Sequence, residues 1–389
     1  MITLALAGKP NCGKSTFFKA ATLANVEIAN YPFTTIDANH GVAYVRSPCV
    51  CRELGLSCGN CKDGVRFVPI GLIDVAGLVP EAHKGKGLGN QFLDHLRQAD
   101  AILHLLDASG STDAEGNPVG AGSHDPAEEI EFVEYEMSMW LYGIIDKHRS
   151  KIQRQAQAKS SSMAHAIADL IAGLGISYEQ VRAVELETGL DLAHAGEQDL
   201  ARFCRRLLSL AKPMMMVGNR VDEAPEALVE KLRARGIRFA TAAGELALRN
   251  AAQAGIVKYL PGDPSFTILK PETLNPAQKG GLERIAGVMG KYGGTGVQEA
   301  LNQAVFSLLD LMVVYPVEDE HKYSDGKGRV LPDAHLMKKG STPRDLAFRV
   351  HTDIGEGFLY AVDARTKMRV KDTHPLKDRD IIKIVSTRK

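Results

Sequence analysis

Gly8-Lys9-Pro10-Asn11-Cys12-Gly13-Lys14-Ser15 fits the spacing G-x-x-x-x-G-K-[ST] without a gap. An apolar run, residues 2–7, precedes it, and a helical pattern follows from about Ser15 to Asn25. Strand, glycine-rich turn and helix, in that order, is the context that a phosphate-binding loop requires. The glycines let backbone N–H groups curl around an anionic oxygen, and the helix N-terminus adds the positive end of its dipole. On this reading Asn11, Cys12, Gly13, Lys14, Ser15 and Thr16 line a triphosphate. Lys14 bridges its β- and γ-phosphates, and Ser15 offers a hydroxyl to Mg²⁺. Cys12 reads as a small filler of the loop.

Outward from this loop, residues 65–76 and 101–107 read as further buried strands, with helical spacing near Phe92, Leu93 and Leu96 between them. Alternating strands and helices predict a parallel sheet. The pattern resumes with strands at 213–217 and 237–241 and helices at 224–235 and 243–254. The expected fold class is α/β: a doubly wound P-loop NTPase sheet with an inserted α-helical domain and a small C-terminal α+β domain. The insertion is residues 127–211, where helical spacing replaces strand character (Ile130, Val133, Met137, Leu141). Residues 259–294, rich in Gly and Pro, are expected to be irregular, and a helix is expected over about 296–312. The expected boundaries are thus 1–126, including a Cys-rich loop at 47–64, then 127–211, 212–312 and 313–389.

Three motifs complete the expected nucleotide site. Asp74-Val75-Ala76-Gly77 closes the strand 65–76; Asp74 can hold Mg²⁺ through a water, and the Gly77 N–H can meet the γ-phosphate. Tyr31-Pro32-Phe33-Thr34-Thr35 offers Thr35 as a second Mg²⁺ ligand that reports the γ-phosphate. Asn219-Arg220-Val221-Asp222 follows the strand 213–217. A carboxylate there accepts from both N1–H and N2–H₂ of guanine, whereas adenine would leave a buried Asp222 unpaired. Asn219 ties the base loop to the phosphate loop, and the guanidinium of Arg220 can stack on a base. Thr241-Ala242-Ala243 can give a backbone N–H to guanine O6.

Composition excludes other classes. The 389 residues carry 47 Lys+Arg against 47 Asp+Glu, so no chain-wide basic field exists for nucleic acid. Local basic runs do exist: Lys147, His148, Arg149, Lys151, Arg154 and Lys159, and in the tail Lys338, Lys339, Arg344, Arg365, Lys367, Arg369 and Lys371. Each is either a solvated face or a contact for RNA phosphates. Trp140 reads as an anchor for helix packing. No apolar run is long enough to span a bilayer, and residues 2–7 lack a basic leader; no membrane association, no signal peptide and a cytoplasmic location are expected.

Four of the six cysteines cluster as Cys49-Val50-Cys51 and Cys58-Gly59-Asn60-Cys61, giving C-x-C-x₆-C-x₂-C. Two chelating pairs could close a tetrahedral Zn²⁺ site; four reduced thiols or a redox pair are the alternatives.

Taken together, the chain resembles a translation-factor-type GTPase of the Obg superfamily, in its YchF-like branch and an archaeal-looking form. The resemblance is carried by residues 8–15, 30–36 and 74–80, by Lys86-Gly87-Leu88-Gly89-Asn90-Gln91-Phe92-Leu93, and by Glu245-Leu246-Ala247-Leu248-Arg249. Residues 313–389 resemble a TGS module, a ubiquitin-like domain. The resemblance implies GTP and GDP as ligands, Mg²⁺ at Ser15 and Thr35, hydrolysis assisted by Lys14, Asn11, Thr35 and Gly77, and a role near the ribosome or its RNA. Relatives with Glu at the position of Asp222 tolerate ATP, so an ATPase is one alternative. A nucleotide-gated RNA- or ribosome-binding module with little turnover is another. Leu78 stands where Ras-like enzymes place Gln, so the attacking water must be oriented from elsewhere. Asn11 with a K⁺ ion could supply that function, and so could His83, unless His83 is only a solvated loop residue. The sequence leaves the oligomeric state open.

Overall fold

The computed structural model describes residues 1–23, 39–85, 97–158 and 162–387. Thr35 and its neighbours 30–36, the run Lys86–Leu93 and Lys159 lie outside the described residues. The chain divides into two compact units. The described residues of 1–43 and 71–300 make the first, and those of 44–70 and 301–387 make the second.

The early elements are β1 (Thr3–Ala7), α1 (Lys14–Thr22), β2 (His40–Pro48), α2 (Val50–Glu53), β3 (Cys61–Lys62), β4 (Val65–Asp74) and β5 (Ala101–Asp107). Five helices follow: α3 (Phe132–Lys147), α4 (Arg149–Ala158), α5 (Met163–Ile171), α6 (Tyr178–Thr188) and α7 (Glu197–Ala211). Next come β6 (Met214–Asn219), α8 (Glu226–Arg233), β7 (Arg238–Phe239), α9 (Ala242–Gln253), β8 (Val257–Lys258), β9 (Thr267–Ile268), α10 (Pro276–Tyr292) and α11 (Val297–Gln303).

The main sheet has the order β2-β4-β1-β5-β6-β7, with β3 paired to β4. β1 runs parallel to β4, with Leu6 opposite Asp74, and to β5, with Ala7 opposite His104. β5 runs parallel to β6, with Asp107 opposite Asn219. The turn after β1, Asp74, Asp107 and Asn219 therefore all meet at the carboxyl edge of the sheet, where open α/β sheets bind ligands.

The helical segment packs on this unit because its helices are amphipathic. α7 buries Leu200, Phe203, Cys204, Leu207 and Leu208, one stripe at helical spacing. α6 starts with a Ser177–Gln180 capping box and stops at Gly189, φ 63°. Trp140 is partly buried against the same core, in the packing role expected of it.

The expectation of an irregular 259–294 is corrected. α10 occupies 17 of those residues. It is capped by an Asn275–Gln278 box, begins with Pro276 and ends at Gly293, φ 78°. Gly280, Gly281, Gly287 and Gly290 lie inside it, and each weakens the local helix signal. The helix expected over 296–312 is also shorter: α11 passes into a π-helical turn, Ala304–Leu308, before a strand begins.

In the second unit, that strand is β10 (Leu311–Val317), followed by β11 (His335–Lys338), α12 (Pro343–Val350), α13 (Thr352–Glu356), β12 (Phe358–Asp363), β13 (Met368–Val370) and β14 (Ile381–Ser386). The sheet order is β11-β10-β14-β12-β13, and β10 and β14 are parallel. Met312, Val314, Met337, Leu346, Ala361, Leu376 and Ile382 form its core.

Candidate nucleotide site

Two glycines make the phosphate loop possible. Gly8 has φ 144°, and a Cβ there would lie 2.4 Å from the Leu105 carbonyl oxygen. Gly13 has φ 94°, and its Cβ would lie 2.3 Å from Asn219 Nδ2. Lys14 is buried, and its Nζ donates to the carbonyls of Lys9 at 2.6 Å and Gly8 at 3.1 Å. Ser15 is exposed at the start of α1. Cys12 is fully buried; burial pushes its thiol up against the opposing pull of Lys14, so it behaves as the expected filler. Asn11, φ 61°, donates from Nδ2 to the Gly116 carbonyl at 3.0 Å.

Asn219 joins the phosphate and base loops. Its Nδ2 donates to the Cys12 carbonyl at 3.0 Å, and its Oδ1 accepts from the Ala242 N–H at 3.1 Å. The Ala242 N–H is thus already engaged, and the Thr241 N–H goes to the Thr295 carbonyl. Of the segment Thr241-Ala242-Ala243, the N–H left outside these two bonds is that of Ala243, at the exposed start of α9. Thr241 itself caps α9 by accepting from the Gly244 N–H at 3.2 Å.

Asp222 is exposed rather than buried as expected, because it sits on a short turn beyond β6. It lines a cavity of about 560 Å³ together with Glu223, Thr241, Gly281, Arg284 and Tyr292. Discrimination by an unpaired carboxylate therefore requires that a bound base cover it. Gly281 and Gly287 face this cavity, and a Cβ at either would meet nothing within 4 Å. The Arg220 guanidinium is held at Ser111 Oγ, 2.9 Å away, and lies 3.8 Å from Asp107. Burial would raise the Asp107 carboxyl, but hydrogen bonds from Ser109, Thr112 and Ser111 and the charge of Arg220 lower it on balance.

Lys9 occupies a position the motif leaves unrestricted. It is almost fully buried, and its Nζ donates to Glu129 Oε1 and to the Thr112 carbonyl, both at 2.6 Å. An ion pair thus fastens the phosphate loop to the entry of the helical segment.

Beyond Asp74 the chain presses on the phosphate loop. A Cβ at Gly77 would lie 2.7 Å from the Pro10 nitrogen, and the Leu78 N–H donates to the Gly8 carbonyl at 3.1 Å. The Leu78 side chain is buried in the core, which removes it from any role with water. His83 is not a solvated loop residue: its Nδ1–H donates to Glu136 Oε2 at 2.7 Å. Farther out, buried Glu245 accepts from Arg249, Tyr259 and Thr295, and Arg249 donates to the carbonyls of Ala21 and Leu23 at the end of α1.

The basic run is only partly free. Lys147, Lys151 and Arg154 are exposed, whereas Arg149 donates to the Ala195 carbonyl. Among the described residues no helix is long and apolar enough to cross a membrane.

Comparison with known proteins agrees with this geometry. Residues 3–137 match the 50S ribosome-binding GTPase family, residues 217–319 the Obg-like GTPase YGR210-like, G4 motif-containing domain, and residues 327–386 the TGS domain. The chain is 46% identical over 398 residues to an uncharacterized GTP-binding protein of Methanocaldococcus jannaschii, covering 100% of both. A crystal structure of a GTP binding protein from Pyrococcus horikoshii OT3 superposes with a TM-score of 0.78 at 38% identity, over 99% of this chain and 100% of that one. A protein of Bacillus subtilis named ribosome-binding ATPase YchF is 37% identical over 160 residues, 41% of this chain and 42% of its own. With its phosphate loop, its Asn219-centred base loop and its C-terminal TGS domain, the chain belongs to the YchF-like branch of the Obg-type P-loop GTPases.

Proposed function

We infer that the protein binds and hydrolyses GTP in a Mg²⁺-dependent manner and acts in the cytoplasm as a nucleotide-controlled switch on the ribosome or its RNA. The observation that carries this reading is the two-sided grip of Asn219, which holds the Cys12 carbonyl and the Ala242 N–H within one side chain's reach. That grip fixes the spacing between phosphate loop and base loop, so one nucleotide can meet Lys14 at one end and Asp222 at the other. Arg220, Asp222, Thr241 and Ala242 frame the base end, and residues 11–16 the phosphates.

Ser15 and Asp74 supply hydroxyl and carboxylate oxygens at the same sheet edge, a hard donor set that suits Mg²⁺; Thr35 is the proposed third ligand. When bound, the ion would neutralise charge between the β- and γ-phosphates. The remaining work is positioning. Lys14 attracts the phosphates, and the Gly77 N–H can meet the γ-phosphate, since Gly77 lies so close to Pro10 of the phosphate loop that a Cβ there would clash with it. Asn11 is the residue whose amide oxygen would hold a K⁺ ion beside the phosphates, its Nδ2 being given to the Gly116 carbonyl.

The name of the Bacillus subtilis relative supports ribosome engagement, and exposed Lys147, Lys151 and Arg154 offer charge for RNA phosphates. The same name supports a second reading, an ATPase. Titration of the Mg²⁺-loaded chain with GTP and ATP tests both. GTP binding at least about a hundredfold tighter is expected from Asp222; equal affinities would replace the GTPase reading with the ATPase one. Turnover measured with and without ribosomes, in KCl and in NaCl, tests the switch and the K⁺ site.

A further inference from the structure

The second unit contains a cluster that nucleotide chemistry does not use. The sulfurs of Cys49, Cys51, Cys58 and Cys61 all lie within 4.8 Å of one another. Cys49 and Cys58 are 3.7 Å apart, and Cys51 and Cys61 are 3.6 Å apart. Four sulfurs at about 2.3 Å from one ion occupy a tetrahedron with edges of about 3.8 Å. The observed separations match that edge. They are too short for a multi-iron cluster, whose cysteines stand around several metal atoms. They also join all four sulfurs at one centre, which two independent disulfides would not require.

The backbone is built for the same end. Cys49 precedes α2 and Cys51 lies within it, so the C-x-C pair straddles a helix start. Gly59, φ 67°, turns the chain between Cys58 and Cys61, and the Asn60 N–H points at Cys58 Sγ at 3.4 Å. An N–H donated to sulfur stabilises a thiolate. β3 then starts at Cys61 and pairs back on β4, with Cys61 opposite Arg66. Cys49, Cys51 and Cys58 are buried. The buried Tyr315 hydroxyl, with no hydrogen-bond partner among the described residues, lies within electrostatic range of Cys49 and Cys58.

The loop also carries the contacts that join it to the C-terminal domain. Glu53, between the two cysteine pairs, binds Arg365 at 2.8 Å and Arg379 at 2.6 Å. The buried Arg66 guanidinium donates to the carbonyls of Leu331 at 3.1 Å and Pro332 at 2.8 Å. Asn60 Nδ2 donates to the Leu331 carbonyl at 3.4 Å.

We propose that Cys49, Cys51, Cys58 and Cys61 hold one structural Zn²⁺ ion, and that this ion fixes the loop whose Glu53, Asn60 and Arg66 fasten the TGS domain. A soft four-thiolate, tetrahedral donor set selects Zn²⁺ over the Mg²⁺ of the nucleotide site. Binding displaces the thiol protons and leaves no open coordination position, so the ion's role is structural.

The test uses the full chain, purified under reducing conditions. Elemental analysis should find one zinc per chain, and exchange with Co²⁺ should give the visible bands of a tetrahedral tetrathiolate. Removal of the metal should speed amide exchange in β11, β12 and β14 by about tenfold or more. Cys58→Ser with Cys61→Ser should do the same while GTP affinity stays unchanged. Four reactive thiols with no metal, two disulfides by mass, or iron in place of zinc would overturn the zinc assignment. Zinc present with unchanged exchange after its removal would overturn the fastening role, and the wild-type metal content decides the site even if the double variant does not fold.

Discussion

The Glu136 carboxylate on α3 accepts from three groups of the segment that follows Asp74: the Glu81 N–H at 2.9 Å, the His83 N–H at 3.0 Å and His83 Nδ1–H at 2.7 Å. The His83 ring also meets Tyr135 edge to face at 5.9 Å. One residue of the helical insertion thus holds the chain a few positions beyond the motif Asp74–Gly77. The helical segment is thereby tied to the chain four to six residues beyond Gly77, and under the function proposed above that is the end of the site where a γ-phosphate would lie.

Glu136→Ala should therefore release this segment. Loss of a buried carboxylate with three donors is expected to cost about 2–4 kcal/mol of stability, since the donors are left unpaired. Amide exchange at residues 81–85 should rise, while the affinity for GDP, which lacks a γ-phosphate, should change little. Unaltered exchange at these positions would refute the strap.

The Lys9–Glu129 pair gives a second prediction. Both side chains are buried, so removing one partner leaves a charge without compensation. Glu129→Ala should destabilise the chain by ~3–5 kcal/mol in urea unfolding. The double variant Lys9→Met with Glu129→Leu should regain most of that, because two apolar groups replace two desolvated ions. If both variants lose the same stability, the pair is not the source of the effect.

These two attachments were invisible in the sequence for one reason. Lys9 and Glu129 are 120 positions apart, and His83 and Glu136 are 53 apart; no local pattern marks either pair. The phosphate loop was legible because its pattern is local: Gly8 and Gly13, both at positive φ, stand with Lys14 and Ser15 in one run of eight residues. The positions of β1, β4, β5 and β6 were legible as apolar runs, such as the wholly buried β5. α10 was hidden by four internal glycines, two of which leave space beside Asp222. β2 was missed because only alternate residues, Ala43, Val45 and Ser47, turn inward.

Base selectivity supplies the third prediction. If Asp222 accepts two hydrogen bonds from guanine, Asp222→Ala should weaken GTP by about 3–4 kcal/mol, or 10²–10³-fold, through loss of two charge-assisted bonds. ATP affinity should be nearly unchanged, so the preference between the two nucleotides collapses. Fluorescent-nucleotide titration of both proteins reads this directly. A variant that keeps its preference for GTP would place base recognition elsewhere on the cavity wall.

His104 supplies the last. It lies in the middle of β5, opposite Ala7 of β1 and Met216 of β6, is almost fully buried, and neither ring nitrogen finds a hydrogen-bond partner among the described residues. Burial first, and the charge of Lys14 second, hold its pKa down at about 3, against an ordinary value of 6.5. The folded chain therefore keeps His104 neutral where the unfolded chain takes up a proton. Between pH 6.5 and 3 the unfolded state binds more protons at this site, so stability falls as the pH falls, with a slope of up to about 1.4 kcal/mol per pH unit. Above pH 6.5 the group is neutral in both states and contributes no slope. His104→Leu, which keeps the apolar contacts and removes the titrating ring, should flatten the acid limb of stability against pH while leaving the neutral plateau near its original height. Urea unfolding from pH 7 down to pH 4 measures it, and an acid limb as steep in the variant as in the parent would show that other buried groups carry the dependence. Asp107 acts in the same direction at lower pH, since its depressed carboxyl stabilises the fold above 3.8 and that contribution is lost as the pH falls through its folded value; the two are separable because the histidine slope begins near 6.5.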